Sequence, residues 1–93
     1  MSRNRRRDVV ENDEYAAFTR RIVGAYSRRV AAGDIEALAS MVTLAQDVED
    51  AIQTAVIGLR TFGYSWTEIA NRLGISRQAA RQRWSIAVDA TTE

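Results

Sequence analysis

Gly63-Tyr64-Ser65-Trp66-Thr67-Glu68-Ile69-Ala70-Asn71-Arg72-Leu73-Gly74-Ile75-Ser76-Arg77-Gln78-Ala79-Ala80-Arg81-Gln82-Arg83-Trp84 carries the punctuation of two short helices joined by a tight turn. Ser65 stands where a hydroxyl caps a helix, and Glu68 follows three residues later, so the pair predicts a capping box. Ile69, Ala70 and Leu73 then fall on one helical face. Gly74 comes next, where a left-handed residue ends a helix without a Cβ penalty. Ile75 is apolar and can plug the gap between the two helices, and Ser76 can cap a second helix opening at Arg77. A pair of helices joined by a short Gly-containing turn is the motif whose second helix enters the DNA major groove.

The second helix is chemically suited to that task. Arg72, Arg77, Arg81 and Arg83 crowd this end of the chain, and no acidic residue lies between Glu68 and Asp89. Gln78 and Gln82 are one turn apart and share a face beside Arg81. An arginine fork can bond guanine O6 and N7, and a glutamine amide can bond adenine N6 and N7. Ser76, Arg77 and Gln78 sit at the helix N-terminus, the end that meets base edges. Ser65, Thr67 and Arg72, on the first helix, complete the expected DNA-contacting set. Ala80 is read as the small inward contact that lets the helices approach, with Trp84 packing one turn later. The bland alternative is an arginine-rich helix that serves solubility alone; capping, turn and charge agree on the DNA-binding motif instead.

At Ser65-Trp66-Thr67-Glu68-Ile69-Ala70, Leu73-Gly74-Ile75-Ser76-Arg77-Gln78-Ala79-Ala80 and Arg83-Trp84, the chain resembles small helix-turn-helix proteins of high-GC bacteria and their phages. It is similar, more distantly, to the sigma-factor domain that reads the upstream promoter element. There a Leu-Gly-Val-Ser-Arg run opens the recognition helix, and Ile75 stands here for the Val. The resemblance implies that Ser76, Arg77, Gln78, Arg81 and Gln82 face DNA. It departs from the sigma pattern at Ala80 and Arg83, where that family usually carries branched apolar residues, and it covers residues 63 to 84.

The rest of the chain narrows the function class. At 93 residues it makes one small domain with a modest core. No apolar run is long enough to span a bilayer, and no apolar leader opens the sequence, so a cytoplasmic location, at the bacterial nucleoid, is expected. Cysteine and histidine are both absent, which removes disulfides, thiolate metal sites and the commonest general base. Phosphate-loop, dinucleotide, zinc and Ser-His-Asp patterns are missing. The adjacent acids Asp13-Glu14 and Glu49-Asp50 read as solvated. No catalytic residue, metal or cofactor is therefore expected, and the chain is read as a binding protein rather than an enzyme. Proline is also absent, in keeping with an all-α fold.

Net charge is only +1, but its distribution is uneven. Arg3, Arg5, Arg6 and Arg7 cluster at the N-terminus. Asp34, Glu36, Asp47, Glu49 and Asp50 fall in a stretch without arginine, and the helix-turn-helix end is basic again. Such a field steers one face toward a phosphate backbone. Residues 1 to 10 lack a helical apolar period and read as a flexible basic arm, able to contact DNA or simply solvated.

Residues 11 to 62 are read as a helical scaffold. A helix is expected from Asn12 or Asp13 to Gly33, with Tyr15, Phe18, Ile22, Tyr26 and Val30 as an apolar stripe. Asp34 caps a second, long helix from about 35 to 62; a break near Gln46-Asp47 is the alternative. Gly58 lies inside that helix, with close packing as its expected reason. The helix-turn-helix region, 63 to 90, follows. The stripe is either an interface between two copies or the core of a monomer, and the homodimer is favoured because two recognition helices double the site read. Double-stranded DNA is the expected partner, with a transcriptional regulator as the role. The other readings are a module contacting RNA polymerase or a second regulator, and an architectural or recombination accessory factor of a mobile element.

Overall fold

The computed structural model describes the backbone of residues 5–92 and the side chains of residues 11–90. Among the described residues it is all-α. Helix α1 runs Arg5–Ala31, a 3-10 turn spans Ile35–Ala37, and α2, α3 and α4 run Leu38–Phe62, Trp66–Leu73 and Arg77–Thr92. Helix α1 starts seven residues before Asn12, so the polar residues from Arg5 onward continue the helix rather than forming an arm. A charged sequence without apolar period can still extend a helix already nucleated by its neighbours, since propagation is far easier than nucleation. Arg3 lies outside the described residues, as do the side chains of Arg5, Arg6 and Arg7.

Contacts along the chain divide it into two units, residues 1–42 and 43–93. In the first, α1 ends on Arg28 and Arg29, cations placed at the negative end of the helix dipole. Gly33 adopts φ 128°, a backbone that side-chain-bearing residues avoid, and its N–H donates to the Val30 carbonyl at 3.0 Å. Asp34 then accepts from the Ala37 N–H at 3.2 Å and caps the 3-10 turn that leads into α2. No break occurs at Gln46-Asp47: α2 is one helix across that point. The sequence offers no Gly or Pro there, and an aspartate inside a helix does not end it by itself.

The buried core lies in the second unit. Val56 of α2, Trp66, Ile69 and Ala70 of α3, and Ala80, Trp84 and Val88 of α4 form it, with Ile57 packed alongside. Ala80, Trp84 and Val88 recur every four residues, which puts them on one face of α4. Ala80 is wholly buried, as its small size anticipates. Two apolar residues of the motif depart from expectation. Leu73 remains 52 % exposed, because it closes α3 where the chain turns away. Ile75 sits at the margin of exposure and plugs the turn only in part. Gly58 also departs: a Cβ built there meets nothing within 4 Å, so no close approach accounts for it.

Candidate nucleic-acid interface

The motif is assembled by short-range bonds that the sequence spells out. Ser65 Oγ accepts from the Glu68 N–H at 3.0 Å, and the Ser65 N–H donates to Glu68 Oε1 at 3.1 Å, which satisfies two otherwise orphaned helix-end donors. The second of these bonds favours the ionised acid. The Ser65 backbone N–H, then the Ser65 hydroxyl, and last the charge of Arg72 hold the Glu68 carboxyl below its ordinary value, against an opposing effect of desolvation. Gly74 closes α3 in the left-handed region at φ 69°, and the Ile75 N–H donates to the Ala70 carbonyl at 3.1 Å. Ser76 Oγ accepts from the Ala79 N–H at 3.1 Å and opens α4.

This architecture turns α4 into a two-sided rod. Ala80, Trp84 and Val88 are buried, whereas Arg77, Gln78, Arg81 and Gln82 are exposed. Arg81 and Gln82 lie three and four residues after Gln78, about one turn on, so the three share a side of the helix, and Arg77 leads at its first residue. The exposed set therefore offers guanidinium forks and carboxamides, the groups that read purine edges, with no acid among them. Ser76 and Thr67 are exposed as well, and Ser65 is half-buried with its hydroxyl engaged in the capping box. Arg72 bonds back onto its own helix, Nη1 to the Glu68 carbonyl at 3.4 Å, and stays exposed.

Arg83 belongs to a different flank. Its Nη2 meets Glu49 Oε2 of α2 at 3.1 Å, and its guanidinium lies 4.9 Å from the centre of the Trp84 ring. It therefore ties α4 to α2. Arg60 is a second positioning residue that the sequence did not single out. Its guanidinium lies 5.0 Å from the Trp66 ring centre, and Nη1 donates to the Tyr64 carbonyl at 2.9 Å. The available signal was Arg60 lying four residues before Tyr64, at the end of α2 just ahead of the Gly63 turn. Phe62 and Tyr64 stack with ring centres 5.8 Å apart beside that turn.

The residues expected at a dimer interface lie on α1, the helix on which the sequence places them. Tyr15, Phe18 and Ile22 are exposed, while Tyr26 and Val30 are intermediate. Among the described residues no helix is long and apolar enough to cross a membrane.

The family model described as ECF sigma factor matches residues 4–93. That span includes α1 and α2 as well as the helix-turn-helix. No curated protein and no solved structure matches the chain. The chain belongs to the ECF sigma factor family, and with that membership comes a DNA-associated role in transcription.

Proposed function

We propose that this member of the ECF sigma factor family is a sequence-specific double-stranded DNA-binding protein that regulates transcription, inserting α4 from Arg77 into the major groove. The observation that carries the reading is the division of α4. Ala80, Trp84 and Val88 anchor one side in the core, and Arg77, Gln78, Arg81 and Gln82 project from the rest. A rigid helix held from behind presents its polar side chains with little entropy left to lose on binding. Ser65, Thr67, Arg72 and Ser76 flank that helix and serve the phosphate backbone, which fixes register. Arg3, Arg5, Arg6 and Arg7 add phosphate contacts from the N-terminal end.

The protein works as a homodimer in the bacterial cytoplasm, at the nucleoid, through the apolar stripe of α1. It acts by binding, without catalysis, metal or cofactor. Contact with RNA polymerase is a second reading, favoured by the family match.

Selection of bound duplexes from a random pool, followed by fluorescence anisotropy, tests the assignment. Arg77→Ala and Gln78→Ala should each weaken the selected site by about 1–3 kcal/mol and relax preference at one base pair. Arg83→Ala, on the other flank, should leave base preference unchanged. Equal affinity of the Arg77 and Gln78 variants for the selected site would remove the base-reading role. A polymerase-only role predicts no enrichment of any duplex.

A further inference from the structure

Glu11, Tyr15, Phe18, Ile22, Ala25 and Arg29 of α1 are spaced alternately by four and three residues. That is the spacing of a coiled-coil seam, and all six side chains are exposed. Tyr15 is 74 %, Phe18 54 % and Ile22 53 % exposed, a large apolar load for the surface of a helix that has no fully buried residue among those described.

The chemistry along the seam is ordered. An acid stands at one end, a base at the other, and a bulky and a small residue are placed symmetrically about the middle. Laid antiparallel on its own copy about Arg20, the seam sets Glu11 opposite Arg29, Tyr15 opposite Ala25 and Phe18 opposite Ile22. Two-fold symmetry repeats each pairing, as a closed dimer requires. Beside the seam, Glu14 comes alongside Arg28 of the other copy, a further opposite-charge approach. Arg21 approaches its own equivalent, a like-charge contact softened by its position 5.9 Å from the Phe18 ring centre. A parallel pairing would set Glu11 against Glu11, Arg29 against Arg29 and Tyr15 against Tyr15, with Ala25 facing Ala25 across a gap. Charge and volume therefore both select the antiparallel arrangement, and they select a second copy of this chain as the occupant.

We propose that two copies of the protein pair through α1 as an antiparallel two-helix coil, with Glu11 of each copy bonded to Arg29 of the other. This rests on the homodimer proposed above and gives it an orientation and a register.

Sedimentation equilibrium of the full chain, with circular dichroism to confirm helicity, tests it. Wild type should be dimeric at tens of micromolar. Glu11→Arg and Arg29→Glu should each raise the dimer Kd by about tenfold, because each turns two attractive pairs into two repulsive ones. The double variant, Glu11→Arg with Arg29→Glu, should return to near the wild-type value. A parallel dimer would respond to neither single swap, so a wild-type dimer with unaltered variants overturns the orientation while keeping the homodimer. A monomeric wild type overturns both.

Because the chain has no cysteine, a second measurement is clean. Thr19 borders the seam beside the two-fold axis, so Thr19→Cys should oxidise to a disulfide-linked dimer, whereas Asn12→Cys, far from its own copy, should not. The reverse pattern overturns the register. Duplex binding followed in the same samples keeps the DNA reading separate: a protein that dimerises this way yet binds no duplex retains the pairing and loses the regulator.

Discussion

The two units of the chain solve the same problem in opposite ways. Residues 43–93 bury seven apolar side chains internally, although Phe62 and Ile86 stay exposed: two tryptophans, three aliphatics and two alanines close a core among α2, α3 and α4. Residues 1–42 bury none among the described side chains, although Tyr15, Phe18, Ile22, Ile35 and Leu38 are all large and apolar. Large apolar side chains thus meet different outcomes in the two units. A short turn such as Gly74-Ile75-Ser76 folds one helix directly onto the next, so a small core can close locally. A single long amphipathic helix has no such local partner and carries its apolar stripe outward. The first arrangement closes a core within its own unit, and the second leaves an apolar stripe exposed.

Truncating one aromatic in each unit should expose that contrast most strongly. Trp84→Ala removes a side chain that is 5 % exposed and touches the centre of the core, so unfolding stability should fall by about 3–5 kcal/mol. In a domain this small such a loss approaches the whole margin. Phe18→Ala, at a residue 54 % exposed, should change the stability of the dilute protein far less and act chiefly on association. Urea melts at two protein concentrations separate the cases. A Trp84 variant that melts like wild type would mean that the core is not where cooperativity resides. A Phe18 variant that melts much earlier even when dilute would place the α1 stripe in an intramolecular core.

A smaller effect belongs to the capping box. Ser65→Ala removes the hydroxyl that accepts from the Glu68 N–H and should cost about 1 kcal/mol. Glu68 adds a pH signature. Its carboxyl is held below the ordinary value in the folded chain, so its contribution is present in full above the unfolded-state value and is lost as pH falls through the folded one. Thermal melts taken from neutral pH down through the acid range should therefore steepen below the usual glutamate region. Glu68→Gln should flatten that part of the profile; an unchanged acid limb would show that the box does not govern it.

The sequence made the second unit legible in detail because its cues are local. Ser65, Glu68, Gly74 and Ser76 specify bonds across at most five residues, and each of those bonds forms. The division of α4 followed from helical period and charge. What stayed hidden depends on contacts distant in sequence or on cooperativity. The Glu49–Arg83 bond joins residues 34 apart, and no local rule pairs them. Arg60 over Trp66 needs the angle of the Gly63-Tyr64 turn, which residue types alone do not fix. The early start of α1 at Arg5 reflects propagation from a strong neighbouring helix, invisible to an apolar period. Leu73 looked buried because periodicity assigns a face but not how far the partner helix extends along it.

The smallest expected effect tests the connection between the two solutions, since α2 is the helix on which the unit boundary falls. Gly58 lies in the part of α2 that supplies Val56 and Ile57 to the core. Glycine inside a helix costs stability because the unfolded chain has more freedom to lose. Such a cost is retained when a neighbour needs the space, yet a Cβ at residue 58 would meet nothing within 4 Å, and its φ is not in the left-handed region. Gly58→Ala should accordingly stabilise the protein by about 0.4–1 kcal/mol, read as a higher melting temperature with unchanged denaturant slope. The same substitution leaves α1 untouched, so the Kd of the proposed dimer should not move. If stability instead falls, or if association weakens, something outside one copy of the chain must approach the bare backbone at residue 58. The face of α2 around Gly58 would then be a second interface, and the division between a closed core and an open stripe would no longer fall between the two units.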